Sequence, residues 1–262
     1  MNFKNHPVLC LYNMGSFLND YEIPSKARKE ILEIINKNKD IKKITLESRP
    51  EYVTKEHLEE LKKLIPNKMI EIGMGLESSD DFVREVIINK GNILKDFKRT
   101  VKLIRVNKLN SLAYIQVKPP FLTEKEAIKD AIKIAKFCFN LGLDAISFEP
   151  TSLQKFTLPY YLFKKEKYRV SWLWSVIEIA RKTSKLGEIR LGGYEYLPKP
   201  DITAFNCKKC STKIKSLIDQ FNGTYDITIF DNCHCKCKNI WEKELIKEDD
   251  RNIYVRILED LK

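Results

Sequence analysis

A chain of 262 residues with 43% hydrophobic side chains is long enough for one large domain or two small ones around a real core, which excludes a disordered segment. Its 47 Lys and Arg against 36 Asp and Glu leave a formal charge of +11, spread along the sequence. That excess suits a polyanionic partner, most often nucleic acid, and equally a Lys/Glu/Ile-rich surface of the kind heat-adapted proteins use for ion pairs.

Through the first three quarters, apolar runs of strand length alternate with longer segments of helical period, the pattern of βα units around a parallel sheet. A strand is expected at 7–13 (PVLCLYN), then a helix whose start is marked by Pro24 and Ser25, then a strand at 41–48 (IKKITLES). Thr54, with Glu56 and Glu59 behind it, marks a helix start before a third strand at 68–78 (KMIEIGMGLES). Asn92 marks the next helix, ahead of a strand at 111–118 (SLAYIQVK). Thr123 with Glu124 and Glu126 opens TEKEAIKDAIKIAKFCFNLG, whose helical spacing closes on Gly142 and puts Cys138 on a core face. Strands at 144–150 (DAISFEP) and 188–194 (EIRLGGY) complete six, which fit a doubly wound sheet or an open or closed barrel.

Short polar motifs fall at the C-terminal ends of these strands: NMGSFLND, ESRPEY, GLESSDD, KPPFLTE and EPTS. In α/β folds that edge carries the active-site loops. Gly15 and Ser16 permit close backbone approach of a ligand, and Glu47 with Arg49 forms either a strand-end ion pair or part of a binding site. Glu77 and Ser78 either bind ribose hydroxyls or cap a helix beginning near Asp80. Residues 158–174 (LPYYLFKKEKYRVSWLW) interleave aromatic and basic side chains in the way unstacked RNA bases and phosphates require. The competing reading packs Trp172 and Trp174 into the core at a helix start, and is favoured for at least one of them. His57, on a charged helix, reads as solvated surface.

After residue 198 the pattern changes. PKPD makes a stiff connection, KIKSLIDQFN reads as helix and YDITIF as strand. Cys207 and Cys210 form a C-x-x-C pair, and the 22 positions from 211 to 232 separate it from the dense Cys233, His234, Cys235, Cys237 cluster. That spacing lies in the range of two-knuckle zinc sites. A structural zinc is the favoured species, because a small tail with little core gains folding energy from metal, and an iron–sulfur cluster is the second choice.

The opening MNFKNHPVLCLYN lacks the features of a signal peptide, and no apolar run reaches the roughly 18 residues of a membrane helix, so a cytoplasmic protein without membrane contact is expected. Clustered cysteines in such a compartment are metal ligands or catalytic thiols sooner than disulfides.

The ordered set YNMGSFLND, LESRPEY, IGMGLESSDD, YIQVKPPFLTEKEAI, ISFEPTS, SWLWSV and NCKKC followed by CKCKNIW resembles the radical SAM subunit family of archaeal archaeosine synthases, relatives of the elongator catalytic subunit. The resemblance covers nearly the whole chain. It implies a partial (β/α) barrel of radical SAM type over residues 1–198 and a C-terminal cysteine-rich, zinc-binding subdomain over 199–262. It implies, too, the chemistry of that family, in which a 4Fe-4S cluster cleaves S-adenosylmethionine to a 5'-deoxyadenosyl radical. The substrate would be a lysine adduct of a deazaguanine base in tRNA, whose C–N bond is broken in concert with a partner transferase subunit. Gly15, Ser16, Glu47, Arg49, Glu77, Ser78 and Val117 match cofactor-binding positions, Lys118 is left to reach substrate or phosphate, and Cys207, Cys210, Cys235 and Cys237 match the metal ligands.

One departure stands out. The family holds its cluster on a C-x-x-x-C-x-x-C loop after the first barrel strand, and that spacing occurs nowhere in this sequence. The expectation is a barrel lacking its first strand, inactive alone and completed by another polypeptide that carries the cluster ligands. The alternatives are a non-catalytic, zinc-containing subunit that binds tRNA or a partner enzyme, and, less favoured, a TIM-like enzyme using no cluster.

Overall fold

The computed structural model describes residues 4, 6–91, 93–194, 198–246 and 251–262. Six strands alternate with helices: β1 (Val8–Leu11), α1 (Ser25–Lys37), β2 (Lys43–Glu47), α2 (Lys55–Leu64), β3 (Met69–Gly75), α3 (Leu94–Val106), β4 (Asn110–Val117), α4 (Glu124–Leu141), β5 (Ala145–Pro150), α5 (Leu158–Lys164), α6 (Leu173–Thr183) and β6 (Glu188–Leu191). Then come α7 (Ser211–Thr224), α8 (Lys238–Ile246) and α9 (Ile253–Asp260). All six expected strands are present, and they form one sheet in sequential order β1 to β6. Pairing is parallel, with Cys10 opposite Thr45, Thr45 opposite Glu71, and Gly75 opposite Tyr114. Parallel strands in sequential order, joined by right-handed crossovers, carry their helices on one face, which is the arrangement of a partial (β/α) barrel.

This explains why the strands alternate. A parallel sheet covered on both faces reads as a continuous apolar run. Here Ile44, Leu46, Ile72, Ile115, Ile146, Phe148 and Ile189 are buried on the helix-covered face. The positions between them are Thr45, Glu47, Glu71, Gly73, Gln116, Ser147, Glu149 and Arg190. Side chains two apart share a face, so the second face is polar.

Local signals fix the helix starts. The Thr54 hydroxyl accepts from His57 N at 3.2 Å, and Thr123 and Glu126 make a reciprocal capping box, Thr123 N to Glu126 Oε2 at 2.8 Å and Glu126 N to Thr123 Oγ1 at 3.2 Å. α1 begins directly after Pro24. Asn92, the expected marker of α3, lies outside the described residues, and that helix starts at Leu94. Gly142 takes φ +90° at the end of α4, and Cys138 is fully buried, as expected.

The chain divides into two compact units, one comprising residues 1–76, 91–114 and 140–145, the other 77–90, 115–139 and 146–262. The second contains the whole cysteine-rich tail. YDITIF does not form a strand. Ile227–Phe230 is a short 3-10 turn, capped by Asp226, whose carboxylate accepts from Thr228 N at 2.9 Å. Phe230 is buried against Phe221 of α7 with ring centroids 5.6 Å apart. Among the described residues the segment pairs with no strand, although Tyr225 donates to Glu188 of β6 at 3.2 Å.

Candidate functional site

Several loops that follow the strands hold residues in the left-handed region, as do Asn89, Lys108, Glu166 and Tyr225 elsewhere. Met14 after β1, Glu77 after β3, Lys118 after β4 and Phe156 after β5 are all in the left-handed region, with φ between +56° and +67°. Gly193 follows β6 at +85°. Non-glycine residues adopt this backbone at a cost and persist there where the surroundings require it, typically at functional sites.

In the first unit, the loop after β1 folds onto the end of β2. Ser16 is fully buried: its N–H donates to Glu22 Oε2 at 2.6 Å and its hydroxyl accepts from Arg49 N at 3.1 Å. Phe17 N donates to the Glu47 carbonyl at 2.8 Å. The Glu22 carboxylate occupies the space that a Cβ on residue 15 would fill, so a larger residue there would displace that carboxylate from Ser16 N. The hydrogen bond from Ser16 N, followed by that from Asn19, holds Glu22 below the usual carboxylate range. Gly15, Ser16, Glu47 and Arg49 are thus brought together where the β1 loop meets the end of β2. Arg49 itself reaches Gly91 O at 2.8 Å and Glu51 at 2.6 Å. On the polar face of this unit, Glu71 is buried between Lys43 at 2.6 Å and Thr45 Oγ1 at 2.9 Å.

In the second unit, Glu77 pairs with Lys90 at 2.7 Å. Ser78 is buried, accepts from Asp80 N at 3.1 Å and donates to Asp130 at 3.3 Å, while Asp80 Oδ1 accepts from Phe82 N and Val83 N. The capping reading of Ser78 describes its contacts. The Val117 carbonyl accepts from Thr151 N at 3.0 Å and Thr151 Oγ1 at 3.1 Å. Lys118 is buried, with its ammonium 2.6 Å from Glu124 Oε2 and 5.6 Å from the Tyr168 ring centre.

Glu124 was read only as part of a helix start. It anchors a buried network: its Oε1 accepts from Ser175 Oγ at 2.6 Å, Trp172 N at 2.8 Å and Ser171 Oγ at 3.1 Å, and Ser175 Oγ in turn accepts from Trp241 Nε1 at 2.8 Å. Ser147 and Glu149, 2.6 Å apart, were missed as well. Polar residues at every second position of otherwise apolar strands were the available signal. Trp172 and Trp174 are both buried at the start of α6, as the packing alternative held, and His57 is half-buried with Nδ1 2.8 Å from Tyr52 O.

The tail brings together the four expected cysteines. Cys207 and Cys210 lie in the turn that opens α7, and Cys235 and Cys237 in the turn that opens α8, each turn closed by amide bonds, Cys210 N to Cys207 O at 3.2 Å and Lys238 N to Cys235 O at 2.9 Å. Sulfur separations are 3.6 Å for 207–210, 3.6 Å for 207–235 and 3.5 Å for 210–237, and all four lie within 4.8 Å of one another. A tetrahedral ion with Zn–S of about 2.3 Å sets its sulfurs about 3.8 Å apart. A cubane cluster, ligated at four separate irons, requires much wider spacing. The set therefore fits a single tetrahedral ion. Desolvation raises the Cys207 thiol, but amides of Cys210 and Lys209 outweigh it and bring the group down to about 7; burial pushes Cys237 up to about 12. The Trp174 indole N–H lies 3.4 Å from Cys237 Sγ, an outer donor to a ligand sulfur. Cys233 is buried outside the set.

No family model matches the chain. It is 32% identical over 243 residues to archaeosine synthase subunit beta of Methanosarcina acetivorans, covering 92% of this chain and 70% of that protein. The corresponding subunit of Thermococcus kodakarensis is 31% identical over 239 residues, covering 88% and 72%. The chain belongs to the archaeosine synthase subunit beta family. A further member of the same similarity range, an uncharacterised protein of Methanocaldococcus jannaschii, is 36% identical over 250 residues, covering 93% and 67%. Among solved structures, the archaeal Methanocaldococcus infernus Elp3 with an N-terminal deletion superposes with a TM-score of 0.54 at 16% identity, covering 75% of this chain and 46% of that one. At that identity the likeness concerns the fold, and it agrees with the partial barrel.

Proposed function

We propose that this protein is the radical SAM component of an archaeosine-forming, tRNA-modifying enzyme. The observation that carries the reading is identity above 30% with two proteins named archaeosine synthase subunit beta, over about nine-tenths of the chain. The subunit name supports a partner subunit, the archaeosine transferase, and the charge of +11 accords with tRNA as substrate. Cofactor binding is assigned to the strand-end residues. By the family resemblance, Gly15, Ser16, Glu47, Arg49, Glu77, Ser78 and Val117 are assigned to S-adenosylmethionine. Lys118, buried against Glu124, orders the β4 edge, where the substrate is expected.

With S-adenosylmethionine, a 4Fe-4S cluster supplies a 5'-deoxyadenosyl radical. The cysteines present here do not suit that cluster: the tail set is too tight, Cys10 and Cys138 stand alone, and among the described residues no other such group occurs. Its ligands are therefore assigned to a C-x-x-x-C-x-x-C segment outside these 262 residues, on the same or another polypeptide. The tail is assigned to structural zinc, held by Cys207, Cys210, Cys235 and Cys237 and released from any part in the chemistry.

The test is anaerobic reconstitution of the protein with a cluster-bearing segment and the transferase, in the presence of S-adenosylmethionine and tRNA carrying the lysine adduct. Formation of 5'-deoxyadenosine and archaeosine is expected. Tight tRNA binding with neither product would overturn the enzymatic reading in favour of a zinc-containing binding subunit.

A further inference from the structure

The Phe156 side chain is fully exposed, at 103% of its reference area, and its backbone sits at φ +67°. Both features are unfavourable for a phenylalanine, and glycine or asparagine would relieve them. The turn that presents the ring is nevertheless firmly built. Leu153 N donates to Ile202 O at 2.8 Å and Asp201 N to Leu153 O at 2.9 Å; Lys155 N donates to Asp201 Oδ2 at 3.1 Å, and Thr157 Oγ1 to Gln154 O at 2.7 Å. The ring is held outward on a fixed turn just past the C-terminal end of β5.

Its surroundings are aromatic and basic. Lys155 precedes it and is exposed, and the helix that follows pairs Lys164 with Tyr160, ammonium to ring centre 5.8 Å, and Lys165 with Tyr161 at 4.7 Å. Leu158 and Tyr161 are exposed on the same segment, and exposed Lys155, Lys164 and Lys165 are interspersed with them. A protein partner requires a contiguous apolar patch, whereas rings alternating with lysines match nucleobase faces with phosphates between them.

We propose that this turn is a stacking platform for an unpaired base of the RNA substrate, with the Phe156 ring on the base and Lys155 and Lys164 on flanking phosphates. The proposal rests on the tRNA reading above and adds where the RNA is held. Binding of a tRNA transcript, measured at fixed salt, tests it with three variants. Phe156→Ala and Phe156→Gly are each expected to weaken binding about five-fold or more, and Phe156→Trp to keep it near the parent value. A transcript carrying 2-aminopurine at its unpaired loop positions should be quenched by the parent protein and by Phe156→Trp, and not by Phe156→Ala. Phe156→Gly should melt at the same temperature or higher, because the left-handed backbone is relaxed, so its loss of binding cannot be attributed to misfolding.

If the parent binds tRNA and the Ala and Gly variants bind equally well, the platform is refuted while the tRNA reading stands. If these variants keep RNA affinity and instead lose the transferase on co-purification, the surface is a protein interface and the proposal is overturned. If the parent fails to bind tRNA even with its partner subunit, the tRNA reading itself fails and the platform falls with it.

Discussion

Asp130 lies behind Ser78, on α4, and takes two long hydrogen bonds from that hydroxyl, at 3.3 and 3.4 Å. Burial raises its carboxyl to about 6, against the lowering effect of Ser78, with the Asp80 charge adding to the rise. An acid whose folded value exceeds its unfolded value near 3.8 binds its proton more tightly when folded. Its contribution to stability is thus best below pH 4 and is lost as pH climbs through 6. Asp130→Asn should accordingly stabilise the protein at pH 7, by up to about 3 kcal/mol, with the advantage shrinking as pH falls through 6 and vanishing below the unfolded value near 3.8. Paired denaturant titrations across that range measure it, and a pH-independent difference would contradict the assignment. Lys118 shows the opposite economy. Read from the sequence as a hand extended to substrate, it is a buried cation neutralised by Glu124 at 2.6 Å. Nothing local to VKPP reveals this, because the partner lies beyond two prolines and a turn.

Elements that announce their own ends were legible. Thr123 and Glu126 form the capping box that their spacing foretold, and Glu126 also makes a bidentate pair with Arg256 of α9 at 2.7 and 2.8 Å. Thr123→Ala removes the hydroxyl that accepts from Glu126 N and should lower stability by about 1 kcal/mol, read by denaturant midpoint. Preserved stability would show that Glu126 and Arg256 suffice to start the helix. By contrast, YDITIF has alternating polar and apolar residues at strand period, yet Asp226 caps a helical turn there and Phe230 packs against Phe221 of α7. Six residues carry too little periodicity to outvote a cap. The polar face shows in the sequence as polar residues at every second strand position, but which of them meet does not: Thr45 and Glu71 become neighbours only once β2 and β3 are in register.

At the scale of the molecule, the order of strand-end motifs in the sequence is the order of strands in the sheet, which is why a chain of individually weak motifs located both fold and family. The four cysteines that converge are those the family resemblance implies, whereas the spacing alone leaves Cys233 and His234 as candidates; Cys207 with Cys210 and Cys235 with Cys237 each sit at a helix-opening turn. Elemental analysis of the purified protein should find about one zinc per chain. Cys207→Ala should lose it and the stability that comes with it, whereas Cys233→Ala should keep it. Iron in place of zinc, or metal loss in Cys233→Ala, would require a different ligand set.

The three tryptophans, Trp172, Trp174 and Trp241, all belong to the second unit. Their indoles donate to Glu244, to the Cys237 sulfur and to Ser175, respectively. Intrinsic emission from this protein is therefore a local optical signal. Excited at wavelengths that only tryptophan absorbs, it reports on the Cys237 sulfur and the Glu124 network and not on residues 1–76, so such a melting curve records the loosening of one unit, and far-ultraviolet dichroism is the companion probe that also sees the other.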